Sequence, residues 1–87
     1  MENLDVMSAD SVWNIWERGH VHPVRLAREL FPERPRGYVR ATNLVMGYAS
    51  NKATAMRCRE RGDVAAAQVY EAICDKIYER LPPFARW

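Results

Sequence analysis

A glycine–aspartate pair limits the folds that this chain can adopt. Gly62 and Asp63 lie in the segment RERGDVAAA, residues 59–67, between two long stretches of helical periodicity. Glycine takes up the left-handed backbone that ends a helix, and aspartate is a favoured N-cap. Arginines at 57, 59 and 61 occur where the helix dipole favours cations. The pattern predicts helices over residues 36–60 and 64–80, paired as an antiparallel hairpin that spans residues 36–81.

Both predicted helices carry apolar residues at helical spacing. The third helix has a wide apolar arc, typical of a helix with two neighbours. This arc contains Tyr38, Val39, Ala41, Leu44, Val45, Met46, Tyr48, Ala49, Ala53, Ala55 and Met56. The stripe predicted for the fourth helix contains Ala66, Val69, Tyr70, Ile73, Ile77 and Leu81. Gly47, Ser50 and Asn51 are weak helix formers, so a kink, or a new helix capped by Ser50, is an alternative for the third helix.

The hairpin resembles one helix–turn–helix unit of a tetratricopeptide repeat over residues 53–73. The resemblance rests on the Gly62-Asp63 turn, on Ala67 and on Tyr70. It implies a close hairpin geometry only, because a lone unit cannot form a solenoid.

Two shorter helices precede the hairpin. The first is predicted over residues 9–18, with Ser8 as N-cap and Gly19 as its stop, after a tail of residues 1–7. The second begins at Pro23 and ends at Phe31. The chain is therefore expected to be a single all-α domain of four helices, with two short N-terminal helices packed on a long antiparallel helical hairpin.

The overall composition points to a packed protein in the cytoplasm. A hydrophobic content of 48% supports a core in a chain of 87 residues. The acidic N-terminal segment lacks the features of a signal peptide, and no apolar run is long enough for a membrane span. In the predicted hairpin, Cys58 and Cys74 differ in height by about 12 Å, too far for a disulfide. Both are expected to be free thiols, with Cys58 the more exposed.

Charge is segregated along the chain, although the net charge is only +2. Residues 34–59 contain five arginines, one lysine and no acid. Three of these arginines crowd the start of the third helix, where the dipole disfavours cations. This cost indicates a binding role, and the alternative is that they pair with Glu29, Glu33 or the acidic N-terminus. The predicted partner-binding residues are Arg34, Arg36, Tyr38, Arg40, Asn43 and Asn51.

Two further sets of residues are secondary interface candidates. Trp13 and Trp87 are large aromatic side chains of the kind enriched at interfaces. Glu71, Asp75 and Glu79 recur every four residues and predict an acidic ridge on the fourth helix. The ridge is interpreted as a solvated face, or as a surface that docks on arginines of a partner or of a second copy.

Catalytic and metal-binding patterns are not found in the sequence. There is no glycine-rich phosphate loop and no nucleophile elbow. His20 and His22, with two distant cysteines, do not have the paired spacing of a zinc site. We therefore expect no catalytic residue, no bound metal, no cofactor and no enzymatic activity.

These observations predict a small protein-interaction module that binds an acidic protein surface and no membrane. The chain resembles the compact proteins of bacteriophages and prophages, which suggests a regulator or inhibitor, and a homodimer is a further option. Residues 24–43, VRLARELFPERPRGYVRATN, also resemble the two helices of a helix-turn-helix. That resemblance implies nucleic-acid binding as the alternative function, with Arg36, Arg40 and Asn43 facing a groove.

Overall fold

The structure, a computed structural model, describes the backbone of residues 9–87 and the side chains of residues 15–87. Four α-helices run in the order α1 (Ala9–Val21), α2 (Pro23–Leu30), α3 (Tyr38–Glu60) and α4 (Val64–Arg80), followed by a short 3-10 turn at Pro83–Ala85. No strand occurs in this described part of the chain. The predicted all-α fold is confirmed, with α1 and α2 as short helices beside the α3–α4 hairpin. The expected tail and the Ser8 cap lie outside the described residues.

The turn between α3 and α4 is a Schellman motif. Gly62 has a φ of 78°, a left-handed conformation that costs glycine no steric strain. Its N–H donates to the carbonyl of Arg59 at 3.0 Å, and the Asp63 N–H donates to that of Cys58 at 2.8 Å. The Asp63 carboxylate then accepts from the Ala66 N–H at 3.1 Å, which caps α4. The predicted turn chemistry thus reverses the chain within two residues.

Two small side chains seven residues apart, Ala67 and Cys74, are buried on α4, and Leu81 is buried immediately after the helix. α3 contributes Val45, Tyr48 and Ala49 among its buried residues. α3 is one continuous helix from Tyr38 to Glu60, so the alternative of a new helix capped by Ser50 is wrong.

The apolar stripe predicted for α4 is only partly in the core. Val69 is 59% exposed and Ile73 is 38% exposed, whereas Ala67 and Cys74 are buried in their place. α4 packs mainly against α3, and one neighbouring helix covers a narrow face. The predicted apolar stripe therefore lies to one side of the face that packs against α3, and Val69 and Ile73 are left on the surface.

Gly19 does not end α1, contrary to the prediction. The helix continues to Val21, and Gly19 is buried inside it. A Cβ atom at this position would lie 2.7 Å from the Sδ and Cε atoms of Met46 and 2.9 Å from Cδ2 of Leu26. The missing side chain thus permits close approach of α1 to α3 and α2.

Residues 31–37 connect α2 to α3 by a compact loop. Phe31 is buried and packs edge-on against the ring of Phe84, with 5.3 Å between centroids. Arg34 has a φ of 50°, and Gly37, the residue before α3, has a φ of 83°. Because of this loop, α3 begins two residues later than the predicted start at Arg36.

Both cysteines are buried free thiols, each 2% exposed. The expectation of an exposed Cys58 is wrong, because the chain folds back beside it at the turn and Nη2 of Arg61 lies 3.5 Å from its sulfur. The Cys74 thiol donates to the carbonyl of Tyr48 at 3.6 Å. Burial raises the pKa of the Cys74 thiol to about 11.

Candidate functional site

The arginine-rich start of α3 is the main candidate site. Arg34, Arg36 and Arg40 are all exposed, and within the described residues none of them forms an ion pair. Glu29, a predicted partner for them, instead pairs with Arg18 and Arg25. Glu33, the second predicted partner, is exposed and forms no ion pair within the described residues. The remaining predicted partners, the acids of the N-terminal tail, lie outside the residues that the structure describes. The three guanidinium groups are therefore presented to solvent.

The backbone adds to the positive charge at this end of α3. Gly37 offers no side-chain oxygen to cap the helix, and the first turn contains no acidic residue. The partial positive charge of the helix N-terminus is consequently not neutralised by its own first turn. The helix end and the exposed arginines together make the start of α3 electropositive.

Arg34 occupies a backbone conformation that ordinarily selects glycine. Its φ of 50° costs a residue with a Cβ roughly 1–2 kcal/mol relative to the right-handed region. The Arg34 N–H donates to the Phe31 carbonyl at 2.9 Å, which holds this turn closed. Such positions concentrate at functional sites, and here the strained residue is one of the three arginines that form no ion pair with the described residues.

The remaining predicted site residues lie along α3 from the same end. Tyr38 is half-buried against the core, and Asn43 is exposed. Asn51 is half-buried, and its Nδ2 donates to the Gly47 carbonyl at 2.8 Å. Asn51 follows Asn43 by eight residues, about 12 Å along the axis. Five of the six residues thus lie within residues 34–43, at the start of α3, and Asn51 lies about two turns beyond Asn43.

The acidic ridge of α4 is partly neutralised within the protein. Glu71 forms a bidentate pair with Arg59, at 2.6 and 2.9 Å. This hydrogen bonding lowers the pKa of Glu71 and raises the pKa of Arg59. Asp75 and Glu79 remain exposed. The pair stabilises the hairpin across its two helices, and sequence reasoning missed it because the register between helices was unknown.

The C-terminal aromatic residue belongs to a ring cluster on the hairpin. Trp87 is half-buried and packs edge-on against Tyr48 and Tyr78, with centroids 4.8 and 4.9 Å away. The Tyr78 hydroxyl donates to the Trp87 carbonyl at 2.7 Å. This candidate therefore completes the core in the structure, and the side chain of Trp13, the other candidate, lies outside the described residues.

One pocket of about 270 Å³ lies between α1 and α2. It is lined by Arg18, His22, Arg25, Leu26 and Glu29. The Glu29 carboxylate is bonded to both arginines of the lining, so its charge is neutralised inside the pocket. Across the described residues, histidine, cysteine, aspartate and glutamate form no group of three or more that could hold a metal ion.

Comparisons with protein-family models, with curated proteins and with solved structures found no match to this chain. Of the helices that the structure describes, none combines the length and the apolar character needed to cross a membrane.

Proposed function

We propose that the protein is a small interaction module that binds an acidic protein surface through the start of α3. The observation that carries the proposal is the set of three exposed arginines without an ion pair in the described chain. Arginine forms bidentate bonds with carboxylates and is less strongly hydrated than lysine, which suits it to protein interfaces. Tyr38, half-buried beside these arginines, supplies an aromatic anchor.

A protein partner is favoured over nucleic acid by the connection between α2 and α3. A DNA-binding helix-turn-helix joins its helices by a turn of about three or four residues. Here residues 31–37 separate the two helices, and α3 is 23 residues long. Exposed acids at Asp75 and Glu79 also disfavour a nucleic-acid backbone. Nucleic-acid binding is therefore the alternative that the experiment below must distinguish.

In this proposal the protein acts by binding and not by catalysis. A regulator or inhibitor in the cytoplasm, as the sequence suggests, needs one complementary surface and no cofactor. A homodimer would place that surface on a second copy, where Asp75 and Glu79 would be the acids that meet the arginines.

The test is affinity capture from a bacterial lysate, with and without nuclease, followed by reconstitution with the purified partner. Three forms of the chain are compared: wild type, the triple change of Arg34, Arg36 and Arg40→Ala, and the corresponding triple Lys variant. We expect the Ala variant to lose the partner, while the Lys variant retains part of the affinity because its charge is kept. Arg28→Ala, an exposed arginine on α2, is the control and should bind like wild type.

Two results would contradict the proposal. Capture that disappears with nuclease, with a log–log salt slope of roughly −0.9 per phosphate on duplex DNA, would identify a nucleic-acid ligand. A triple Ala variant that melts early yet binds the partner normally would show that the arginines support the fold. Circular dichroism melts of all four proteins separate this second result from a loss of binding.

A further inference from the structure

Part of the apolar surface of α4 lacks a partner in the described structure. Val69 and Ile73 are exposed, and Ile77 is half-buried. These three residues are spaced by four and form one row along the helix. Isolated exposed apolar residues are common on proteins, whereas contiguous exposed apolar patches mark interaction surfaces.

The second feature is a row of small or inward-bonded residues on α3, Gly47, Asn51 and Thr54, beside the apolar row of α4. A Cβ atom added at Gly47 would lie 3.7 Å from Cδ1 of Ile77, so these two positions are neighbours across the hairpin. Because the helices are antiparallel, Asn51, four residues after Gly47, lies level with Ile73, four residues before Ile77. The Asn51 amide donates to the Gly47 carbonyl at 2.8 Å, and the Thr54 hydroxyl donates to the Ser50 carbonyl at 3.1 Å. Both side chains therefore bond to their own helix.

Their positions in the antiparallel hairpin make these two rows the borders of a groove. Gly47 has no side chain, and Asn51 and Thr54 are folded against α3, so the α3 side is low. Val69 and Ile73 stand along the α4 side as an apolar wall. We name this surface, with Gly47, Asn51, Thr54, Val69, Ile73 and Ile77 as its members, the hairpin groove.

The charges around the hairpin groove are predominantly basic. Arg40 and Arg61 lie towards the two ends of its α3 side, and Lys76 and Arg80 follow the outer margin of the α4 row. Glu71 and Asp75 lie on the opposite side of α4, and Glu79 lies beyond the margin, three residues after Lys76. The acid at the turn, Asp63, already accepts a hydrogen bond from the Ala66 N–H. An apolar row with basic margins is complementary to an apolar face with acidic flanks.

Gly47 is a second reason to expect a partner here. Glycine weakens the middle of a helix relative to alanine. At Gly19 an added Cβ atom would lie 2.7 Å from the side chain of Met46, so only glycine fits there. At Gly47 the nearest atom to an added Cβ would be 3.7 Å away, an ordinary contact distance. The fold itself therefore does not need a glycine at position 47. A glycine on the groove floor instead allows the backbone of another helix to come close.

We propose that the hairpin groove binds an acidic amphipathic helix of a partner protein. The inference rests on the proposed function as an interaction module and extends its surface from the arginines along α3. A second copy of this chain is a poorer occupant, because two such grooves face to face would bring their basic margins together.

The test uses the full chain labelled with ¹⁵N and two synthetic helical peptides of about 18 residues, or five turns. In the first peptide, leucines occur at i, i+3, i+4 and i+7 and glutamates fill the other face. The second has lysine in place of every glutamate. We expect the acidic peptide to shift the amide resonances of Gly47, Asn51 and Ile73, with saturation below about 1 mM. The basic peptide should leave them in place, because it repels the margins.

Two adjacent substitutions provide a matched pair of variants. Val69→Glu adds a negative charge inside the groove, and Gln68→Glu adds the same charge about 100° around the helix. Both side chains are exposed, so neither change removes a buried group. Val69→Glu should weaken the acidic peptide at least about tenfold, and Gln68→Glu should change its affinity less than about threefold. Gly47→Leu, which fills the groove floor, should also abolish binding.

Several outcomes would overturn the inference. These are no shift at about 1 mM acidic peptide, equal binding of both peptides, shifts confined to residues outside the groove, or equal effects of the two glutamate variants. Sedimentation that shows a dimer broken by Val69→Glu would assign the groove to a second copy instead. The proposed function fails separately, when the triple Ala variant of the arginines keeps the lysate partner, so the two failures are distinguishable.

Discussion

Gly19 and Gly47 provide a test of the packing, because the same substitution should have opposite effects at the two positions. Both are helical glycines, in α1 and α3. Alanine is favoured over glycine inside a helix by about 0.5–1 kcal/mol. At Gly47 the new methyl group would meet only Cδ1 of Ile77, at an ordinary 3.7 Å. Gly47→Ala should therefore raise the free energy of unfolding by most of that amount.

At Gly19 the same methyl group meets atoms that are too close. The Sδ and Cε atoms of Met46 would lie at 2.7 Å and Cδ2 of Leu26 at 2.9 Å. Overpacking of this kind costs about 1–3 kcal/mol, and the helical gain offsets about 0.5–1 kcal/mol of it. The flexible end of Met46 can move aside, which keeps the overpacking cost at the lower end of this range. The buried Leu26 has less room to move, so some of the cost remains. With an overpacking cost of about 1–2 kcal/mol, Gly19→Ala should thus lower the free energy of unfolding by about 0–1.5 kcal/mol.

Urea denaturation followed by circular dichroism measures both changes, provided that the m-values stay constant. A double-mutant cycle strengthens the test. In a Met46→Ala background, most of the obstructing atoms are gone, so Gly19→Ala should cost less than it does in the wild type. If Gly19→Ala stabilises the protein as much as Gly47→Ala does, α1 does not approach α3 at Met46 and the packing of the N-terminal helices is wrong.

Three further measurements test the hairpin. Ala67→Leu should lower the free energy of unfolding by about 1–3 kcal/mol, and half-buried Ala66→Leu by less, because only Ala67 is fully enclosed between the helices. Asp63→Ala, which removes the α4 cap, should cost about 1 kcal/mol in denaturant melts, with an unchanged midpoint as the contrary result. Burial raises the pKa of the Cys74 thiol from its ordinary 9.0 to about 11. Stability should therefore be full below pH 9 and decline towards pH 11, and Cys74→Ala should decline less steeply, since its unfolded chain has one thiol fewer to ionise.

The hairpin could be predicted because its turn is specified locally. Gly62 and Asp63 determine the Schellman turn and the next N-cap through their own backbone and side-chain chemistry. Gly19 has the same residue type but a different role. A glycine that ends a helix and a glycine that lets two helices approach look alike in a sequence, and only the position of Met46 in three dimensions separates them.

The stripe on α4 shows a second limit of periodicity. Hydrophobic spacing locates an apolar arc on a helix, but it does not say which part of the arc meets the neighbour. Val69 and Ile73 are more hydrophobic than Ala67 and Cys74, yet the smaller pair is buried. Small side chains allow the α3 and α4 backbones to come close, so the contact forms along them. The hairpin groove exists because the small residues, and not Val69 and Ile73, face α3, and the sequence alone does not show which of them do.

The candidate site could be predicted in part, because arginines at a helix start are exposed by default. The exposure of Arg34, Arg36 and Arg40 agrees with that expectation. The left-handed backbone of Arg34 was not foreseen, since Arg34 is followed by Pro35 and has no glycine-like signal. The pairing of Glu71 with Arg59 also required the register between α3 and α4.

The acid-free stretch of residues 34–59 has a structural explanation at one end only. Near the turn, α4 supplies the missing acid, since Glu71 pairs with Arg59 across the hairpin. At the start of α3 no acid of the described chain pairs with the arginines: Glu29 is engaged by Arg18 and Arg25, and the exposed Glu33 forms no ion pair. The same helix lies beside an apolar row on α4 that is only partly covered. A partner with acidic and apolar residues on one helix would satisfy both features, which is why a protein ligand explains more of this surface than a phosphate backbone does.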